Sequence, residues 1–544
     1  MTRRSVGREN LIALFLFFLV AIGWSSLPFF RPGLLSGETF LFHDNSYALF
    51  TADQLLAGKL LFRDVFYQYG TLTAYVHAGW AALFGNTILS YWHLAQLLTF
   101  IGAIQLWILL RRSLSPWQAL AFGIIVLFPS FLVPGGSVGG LGASVYVGLE
   151  RICLLAIALA WRPPDSRTFA CALGIGLLLG TMQWIKFGGA FVAGGSLVVV
   201  DLLVLSYGGG ETKRWFHWLK ISLATLLGFV AVEGILCALL YLLLPARLAL
   251  EVLWPSWMVQ NYAAYSHKSV SFLHWFGLNY FLGVQLPPVA AALAGLAFIG
   301  RLPFAWRTGH REKRASFLSL AGPALFLLIF FALALMVYLP HMWVAMPYAW
   351  MILLPVAFFL RQKALALLWI FLLACVPAFL LTVKDLIRVP KADGLREVHL
   401  AKDTLWLSAE NENRITRLQH VLERLQQERG DAAPRPPAIL GFPMGSGFHH
   451  FLGYPPATRH AWFMSGFVRP REEETLLKSL DRTLAVVVFF PDPRSEPPSA
   501  DPSTWEFFSI PLFTQSTSLA FASRLEPPVE VDSRCWVFPV LPQN

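Results

Sequence analysis

"TFACALGIGLLLGTMQWIKFGGAFVAGGSLVVVDLLVLS", residues 168–206, decides how the chain is threaded. Read as one interrupted helix, it puts the following "GGGETKRWFHWLK" outside and inverts every later loop, so that "RTGHREKR", residues 307–314, lands on the side that positive charge avoids. Read as two short spans turning at Lys186, Gly188 and Gly189, it keeps the basic loops on one side. The second reading is adopted. It places Lys186 at the outer membrane surface.

Working outward from that turn, apolar runs long enough to cross about 30 Å of hydrocarbon predict eleven spans. They lie near residues 10–30, 88–110, 116–134, 145–161, 168–185, 188–206, 219–245, 276–300, 317–340, 346–360 and 364–383. The segments between them on the N-terminal side collect most Lys and Arg, whereas the opposite loops hold only Arg31, Lys59, Arg63, Lys186, Arg247 and Lys268. The expected topology is N-in and C-out. The first run is read as a retained helix and not a signal peptide, since no clear A-x-A site follows it.

Composition agrees. Of 544 residues 56% are hydrophobic and 14% charged, and the mean hydropathy is +0.57, outside the range of soluble domains. The net charge of +10 sits mostly in the loops expected to be cytoplasmic, where anionic lipid is the ordinary counterion, so no nucleic acid is invoked. Cys153, Cys171, Cys237 and Cys375 fall within spans and Cys535 stands alone in the tail, which excludes an intramolecular disulfide framework or a cysteine metal site.

After residue 383 charges, prolines and turn signals multiply, so the chain divides into a membrane domain, residues 1–383, and an extracytoplasmic α/β domain, residues 384–544. Ser408 reads as a helix cap ahead of Ile415, Leu418, Leu422 and Leu425 on one face. "AILGF" and "LAVVVFFP" read as buried strands, with "RPREEETLLKSLDR" a helix between them. Residues 31–87 form one long outer loop carrying acids among aromatics, and "GTLTAYVHAGWAALFG" within it reads as a helix lying along the membrane surface.

That loop carries the chemistry. Asp44 opens it, and "LLAGKLLFRDVFYQYGTLTAYVHAGWAALFG" follows; with Gly58, Phe62, Arg63, Asp64, Phe84 and Gly85 this resembles the C-type superfamily of integral-membrane glycosyltransferases, in the branch of aminoarabinose transferases and protein O-mannosyltransferases. "GIGLLLGTMQWIKFGGAFV" is similar to that superfamily's Gly-rich span ending in Lys, and "PHMWVAMPYAWMILLP" to its late outer loop. The resemblance implies transfer of a sugar from a polyprenyl-phosphate donor to a lipid, glycan or protein acceptor on the outer face of the cell inner membrane. Asp44 would be the general base, since a carboxylate among apolar groups gains basicity. Lys186, Arg63, His341 and Arg151 are candidates to offset charge on the departing phosphate. Asp64 is a candidate for orienting the acceptor or, with Asp44, for holding Mg²⁺ or Mn²⁺.

Other readings stand beside these. Asp44 also suits a helix cap, and Asp64 a surface pair with Arg63 or Lys59. Glu150 and Arg151 form an ionisable pair in the outer half of the fourth span, costly enough to imply a role, although they could neutralise each other. Lys186 also reads as an interfacial anchor, and His341 as a helix cap. Two further functions remain open: a lipid or solute transporter coupled through Glu233 and Asp201, although no repeated halves are seen, and a noncatalytic envelope scaffold.

Overall fold

The computed structural model describes residues 3–26, 44–127, 145–253, 322–333 and 394–542, short interruptions aside. The expected eighth, tenth and eleventh spans and His341 lie outside the described residues.

The N-terminal half is helical. α1 (Arg3–Ser25), α2 (Asp44–Leu56), α3 (Thr71–Phe84), α4 (Ile88–Arg111), α5 (Pro116–Leu127), α6 (Val145–Ala160), α7 (Phe169–Ile185), α8 (Gly189–Tyr207), α9 (Thr212–Leu243) and α10 (Ala246–Leu253) follow in order. Three of these, α4, α8 and α9, are long and apolar enough to cross a membrane, and α7 is a shorter apolar helix. The chain is multi-pass by length and composition. α9 begins about two turns before its expected start, because its basic opening, "TKRWFHWLK", is itself a good helix former. α3 forms where a helix was expected: its small and polar residues Thr73, Ala74, His77 and Ala78 face inward, while Leu83 and Phe84 are exposed.

Helices α7 and α9 cross on glycine. A Cβ on Gly176 would stand 1.9 Å from the Thr225 carbonyl oxygen, and one on Gly228 2.3 Å from that of Leu173. Backbones approach this closely only where side chains are absent, the usual device of helix pairs in lipid. Two acids that the transporter reading needs are already partnered in this bundle. Asp201 accepts both arms of the buried Arg167 guanidinium at 2.7 and 2.8 Å, and Glu233 accepts the Trp184 indole N–H at 3.1 Å.

The C-terminal part is α/β. β1 (Arg396–His399) and β2 (Thr404–Leu407) form an antiparallel hairpin, followed by α11 (Ala409–Arg429), β3 (Ala438–Phe442), α12 (Ser446–Leu452), α13 (Pro470–Ser479), β4 (Thr483–Phe489), α14 (Gln515–Ala522), β5 (Val529–Asp532) and β6 (Cys535–Pro539). The larger sheet runs β3-β4-β6-β5, with β3 and β4 parallel and the other pairs antiparallel. Ser408 caps α11 by accepting from the Asn411 N–H, as its position predicts. Leu418 and Leu422 of α11 cover one face of the sheet with Val487 and Val537, while Leu476, Leu480 and Phe521 cover the other with Val486 and Val488. Burial on both faces explains why "LAVVVFF" is uninterruptedly apolar.

This sheet is not separated from the helices by solvent. The core beneath α11 continues through Phe448 and Phe451 into Leu49 of α2 and Ile88, Tyr91 and Leu94 of α4. Asp403 accepts from the Ile88 N–H at 2.6 Å, supplying a carboxylate to the N-terminus of α4 from the other end of the chain.

Candidate active site

The segment after α2 turns back across the bundle and docks on the end of α7. Gly70 donates its N–H to the Ile185 carbonyl at 3.0 Å, and Thr73 Oγ1 donates to the same oxygen at 3.2 Å. A Cβ at residue 70 would lie 2.1 Å from the Trp184 carbonyl oxygen, so the docking requires glycine here. The docking sets Tyr67 and Tyr69 beside α2 and α6.

A narrow crevice results, lined by Tyr47, Tyr67, Tyr69, His77, Tyr91 and Tyr146, with Ala48, Thr73 and Val145 completing the wall. Its rings are in mutual contact: Tyr47 on Tyr67 at 5.4 Å, Tyr67 edge-on to Tyr69 at 5.6 Å, and Tyr69 stacked on Tyr146 at 4.4 Å. Tyr47 donates its hydroxyl to the Phe66 carbonyl at 2.7 Å. As it stands the crevice admits only water-sized guests, so a sugar ring requires the tyrosines to part.

Lys186 does not line the crevice but stands against Tyr146, one of its walls. α7 stops at Ile185, Lys186 takes an extended backbone, and α8 restarts at Gly189 through Gly188 at φ +91°. The Lys186 ammonium lies 5.1 Å from the Tyr146 ring centroid, a cation held over an aromatic face. Glu150 sits one helical turn beyond Tyr146 on α6, buried, with Oε1 2.5 Å from where a Cβ on Gly189 would stand. Arg151, also buried, runs its aliphatic stem against Gly102 of α4. The Lys186 turn, Tyr146 and Glu150 therefore meet at one place, while Arg151 projects to another helix.

Arg63 and Asp64 do not line the crevice. Asp64 accepts from the Leu60 N–H at 2.9 Å and from Arg63 at 2.9 and 3.1 Å, and the Arg63 hydrogen bond holds its carboxyl below the usual range. The surface-pair reading of Asp64 describes its observed contacts. Asp44 is the first residue of α2; its side chain, like His341, lies outside the described residues. Tyr47 and Ala48, on the first turn of α2, line the crevice.

Sequence reasoning missed the tyrosine wall and the acid next to it. Asp53 accepts from His450 Nδ1 at 2.7 Å and from Lys402 at 2.8 Å through Oδ2, and from Asn86 at 2.9 Å through Oδ1. Burial raises its pKa, but the His450 and Lys402 contacts outweigh this and hold it below the ordinary value. His77, beside the crevice, is pushed down to about 4 by burial. The available signal was the "GFHHFLGY" phrase after β3, whose meaning needs the tertiary contact.

Among the described residues no three His, Cys, Asp or Glu side chains gather as metal ligands. At Asp64 both carboxylate oxygens already accept hydrogen bonds, from Arg63 and the Leu60 N–H.

No family profile and no curated protein matches the sequence. Among solved structures, ArnT from Cupriavidus metallidurans bound to undecaprenyl phosphate is similar at 15% identity and a TM-score of 0.49, over 96% of this chain and 97% of that one. The apo state of the same protein matches at 16% identity, with the same coverage and score. The Archaeoglobus fulgidus oligosaccharyltransferase in complex with Zn and sulfate is similar at 11% identity and a TM-score of 0.47, over 97% of this chain and 74% of that one.

Proposed function

We propose that this chain is a membrane glycosyltransferase that moves a sugar from a polyprenyl-phosphate donor to an envelope acceptor on the outer face of the inner membrane. The observation that carries the reading is the tyrosine crevice with Lys186 held over Tyr146 in its wall. Tyrosines offer flat, amphipathic faces to a sugar ring, and an ammonium beside them suits a phosphate. In this reading the chain is N-in and C-out, residues 384–544 form the extracytoplasmic domain, and the turn at residues 186–188 lies at the outer boundary, where a lipid carrier presents its headgroup.

The chemistry follows from those groups. Asp44 removes the proton of the acceptor hydroxyl, whose oxygen bonds the anomeric carbon as the bond from that carbon to the phosphate oxygen breaks. The electron pair leaves with the polyprenyl phosphate, and Lys186 offsets the charge that accumulates there. Glu150, beside the same turn, keeps the Lys186 segment oriented. His341 is assigned a supporting contact to the phosphate; Arg63, Asp64 and Arg151 stand away from the crevice and are given none. Because no residue other than Asp44 takes the proton, Asp44→Asn lowers transfer by about a hundredfold or more while the protein still folds. The test is single-turnover release of labelled sugar from undecaprenyl-phosphate-linked donors by purified protein in lipid. Unchanged release in Asp44→Asn removes Asp44 from the mechanism, and no release from any donor by the parent protein overturns the reading.

A further inference from the structure

α2 is gripped along its length by the C-terminal part of the chain. Near its start, Ser46 Oγ and Ser446 Oγ are 2.8 Å apart, both buried, and Ser446 Oγ also accepts the Trp462 indole N–H at 3.2 Å. One turn on, Phe50 meets the His449 ring at 5.4 Å. At its end Asp53 meets His450 and Lys402. Residues 46, 50 and 53 recur at helical spacing, and 446, 449 and 450 answer them from α12. Trp462 itself stacks on Tyr47, with ring centroids 4.7 Å apart and planes within 15°. Next to it, Arg459 accepts the Phe66 N–H at 2.8 Å and donates to the Phe62 carbonyl, while Tyr47 binds the Phe66 carbonyl. One short segment, residues 459–462, thus holds both α2 and the loop that carries Tyr67 and Tyr69.

We infer that Trp462, with Ser446 and His450, positions the wall of the crevice, so that the C-terminal domain sets the placement of Tyr47 and of the helix that begins at Asp44. The consequence for activity rests on the glycosyltransferase reading; the mechanical claim does not. A helix of thirteen residues is marginal alone in water, and α2 owes its fixed position to partners. Four of those partners, Ser446, His449, His450 and Trp462, come from residues about four hundred positions away in the chain. Trp462 acts through Tyr47 and, by way of Ser446, through Ser46.

The experiment is hydrogen exchange of the full-length protein in lipid, combined with kinetics on an undecaprenyl-phosphate-linked sugar. In Trp462→Ala, amides of residues 44–56 and 62–67 exchange at least about tenfold faster, those of β4 stay protected, and Trp462→Phe restores the parent pattern. The donor turnover number falls by about tenfold to a hundredfold, as small misplacements near a reacting centre do, and KM changes less than about threefold. Ser446→Ala, which leaves no cavity of indole size, shows the same direction with smaller amplitude and decides the matter should Trp462→Ala lose β4 protection. Asp481→Asn, at an exposed ion pair with Arg524, changes neither readout. Parent-like exchange in residues 44–56 of Trp462→Ala, or Trp462→Phe behaving as badly as Ala, overturns the inference. A parent protein inactive on every donor sinks the transferase reading, while the exchange experiment still decides the positioning claim.

Discussion

Lys186 and Gly70 show what single residues contribute. Lys186 was readable because its position between Gly-containing segments and the side preferred by positive charge both demanded a turn there. Gly70 was not, since its need for a bare Cα comes from the Trp184 carbonyl, a contact invisible in the local pattern. Gly70→Ala is expected to cost about 1–3 kcal/mol through overpacking, read as a lower thermal midpoint in lipid, with a matching loss of donor affinity because Tyr69 moves. Arg167 makes a second residue-level case. Both it and Asp201 are buried, so Arg167→Met leaves a charge without its partner and costs about 3–5 kcal/mol. The double variant with Asp201→Leu recovers most of that, and an additive loss would show that the pair is not coupled.

At the scale of elements, α7 and α9 depend on their glycines. Gly176→Leu drives the helices apart, and since α7 ends at the Lys186 turn, the variant lowers undecaprenyl phosphate affinity as well as stability; normal affinity in a folded variant would contradict that link. The helices around the crevice also carry a pH response. Burial pushes His77 and His449 down to about 4 from an ordinary value of 6.5. Between those limits the unfolded chain binds protons that the folded one refuses, so stability falls as pH drops through that window, by on the order of 3 kcal/mol per histidine when it is fully crossed. Thermal midpoints measured from pH 7 to 4.5 decline in the parent, and His449→Asn, which retains a donor for the Tyr454 carbonyl, flattens the slope. Periodicity revealed α11, which buries one face, and the continuous apolar runs of β3 and β4 revealed strands buried on both faces. Neither could reveal the crevice, whose tyrosines come from α2, α4, α6 and the loop before α3 and follow no common spacing.

For the whole molecule, the division into helices and an α/β unit was legible from composition, but their interlocking was not. Asp403 at the start of α4, Lys402 and His450 on Asp53, and Trp462 on Tyr47 are all pairings between distant parts of the chain. The proposed orientation predicts that Ser495→Cys, at an exposed position of the C-terminal part, reacts with a membrane-impermeant maleimide in intact cells whose outer membrane is permeabilised. Cys535 is buried and leaves a low background. Labelling only after the inner membrane is breached would reverse the topology.

The central claim is that Lys186, beside Tyr146 in the wall of the crevice, receives a lipid-linked phosphate. Direct binding of undecaprenyl phosphate to the purified protein, compared between the parent, Lys186→Ala and Tyr146→Leu, tests it. Losing a charge-assisted contact worth about 1.5–3 kcal/mol weakens binding by roughly ten- to a hundredfold in Lys186→Ala, with a smaller loss in Tyr146→Leu. Equal affinity in all three folded proteins would contradict it.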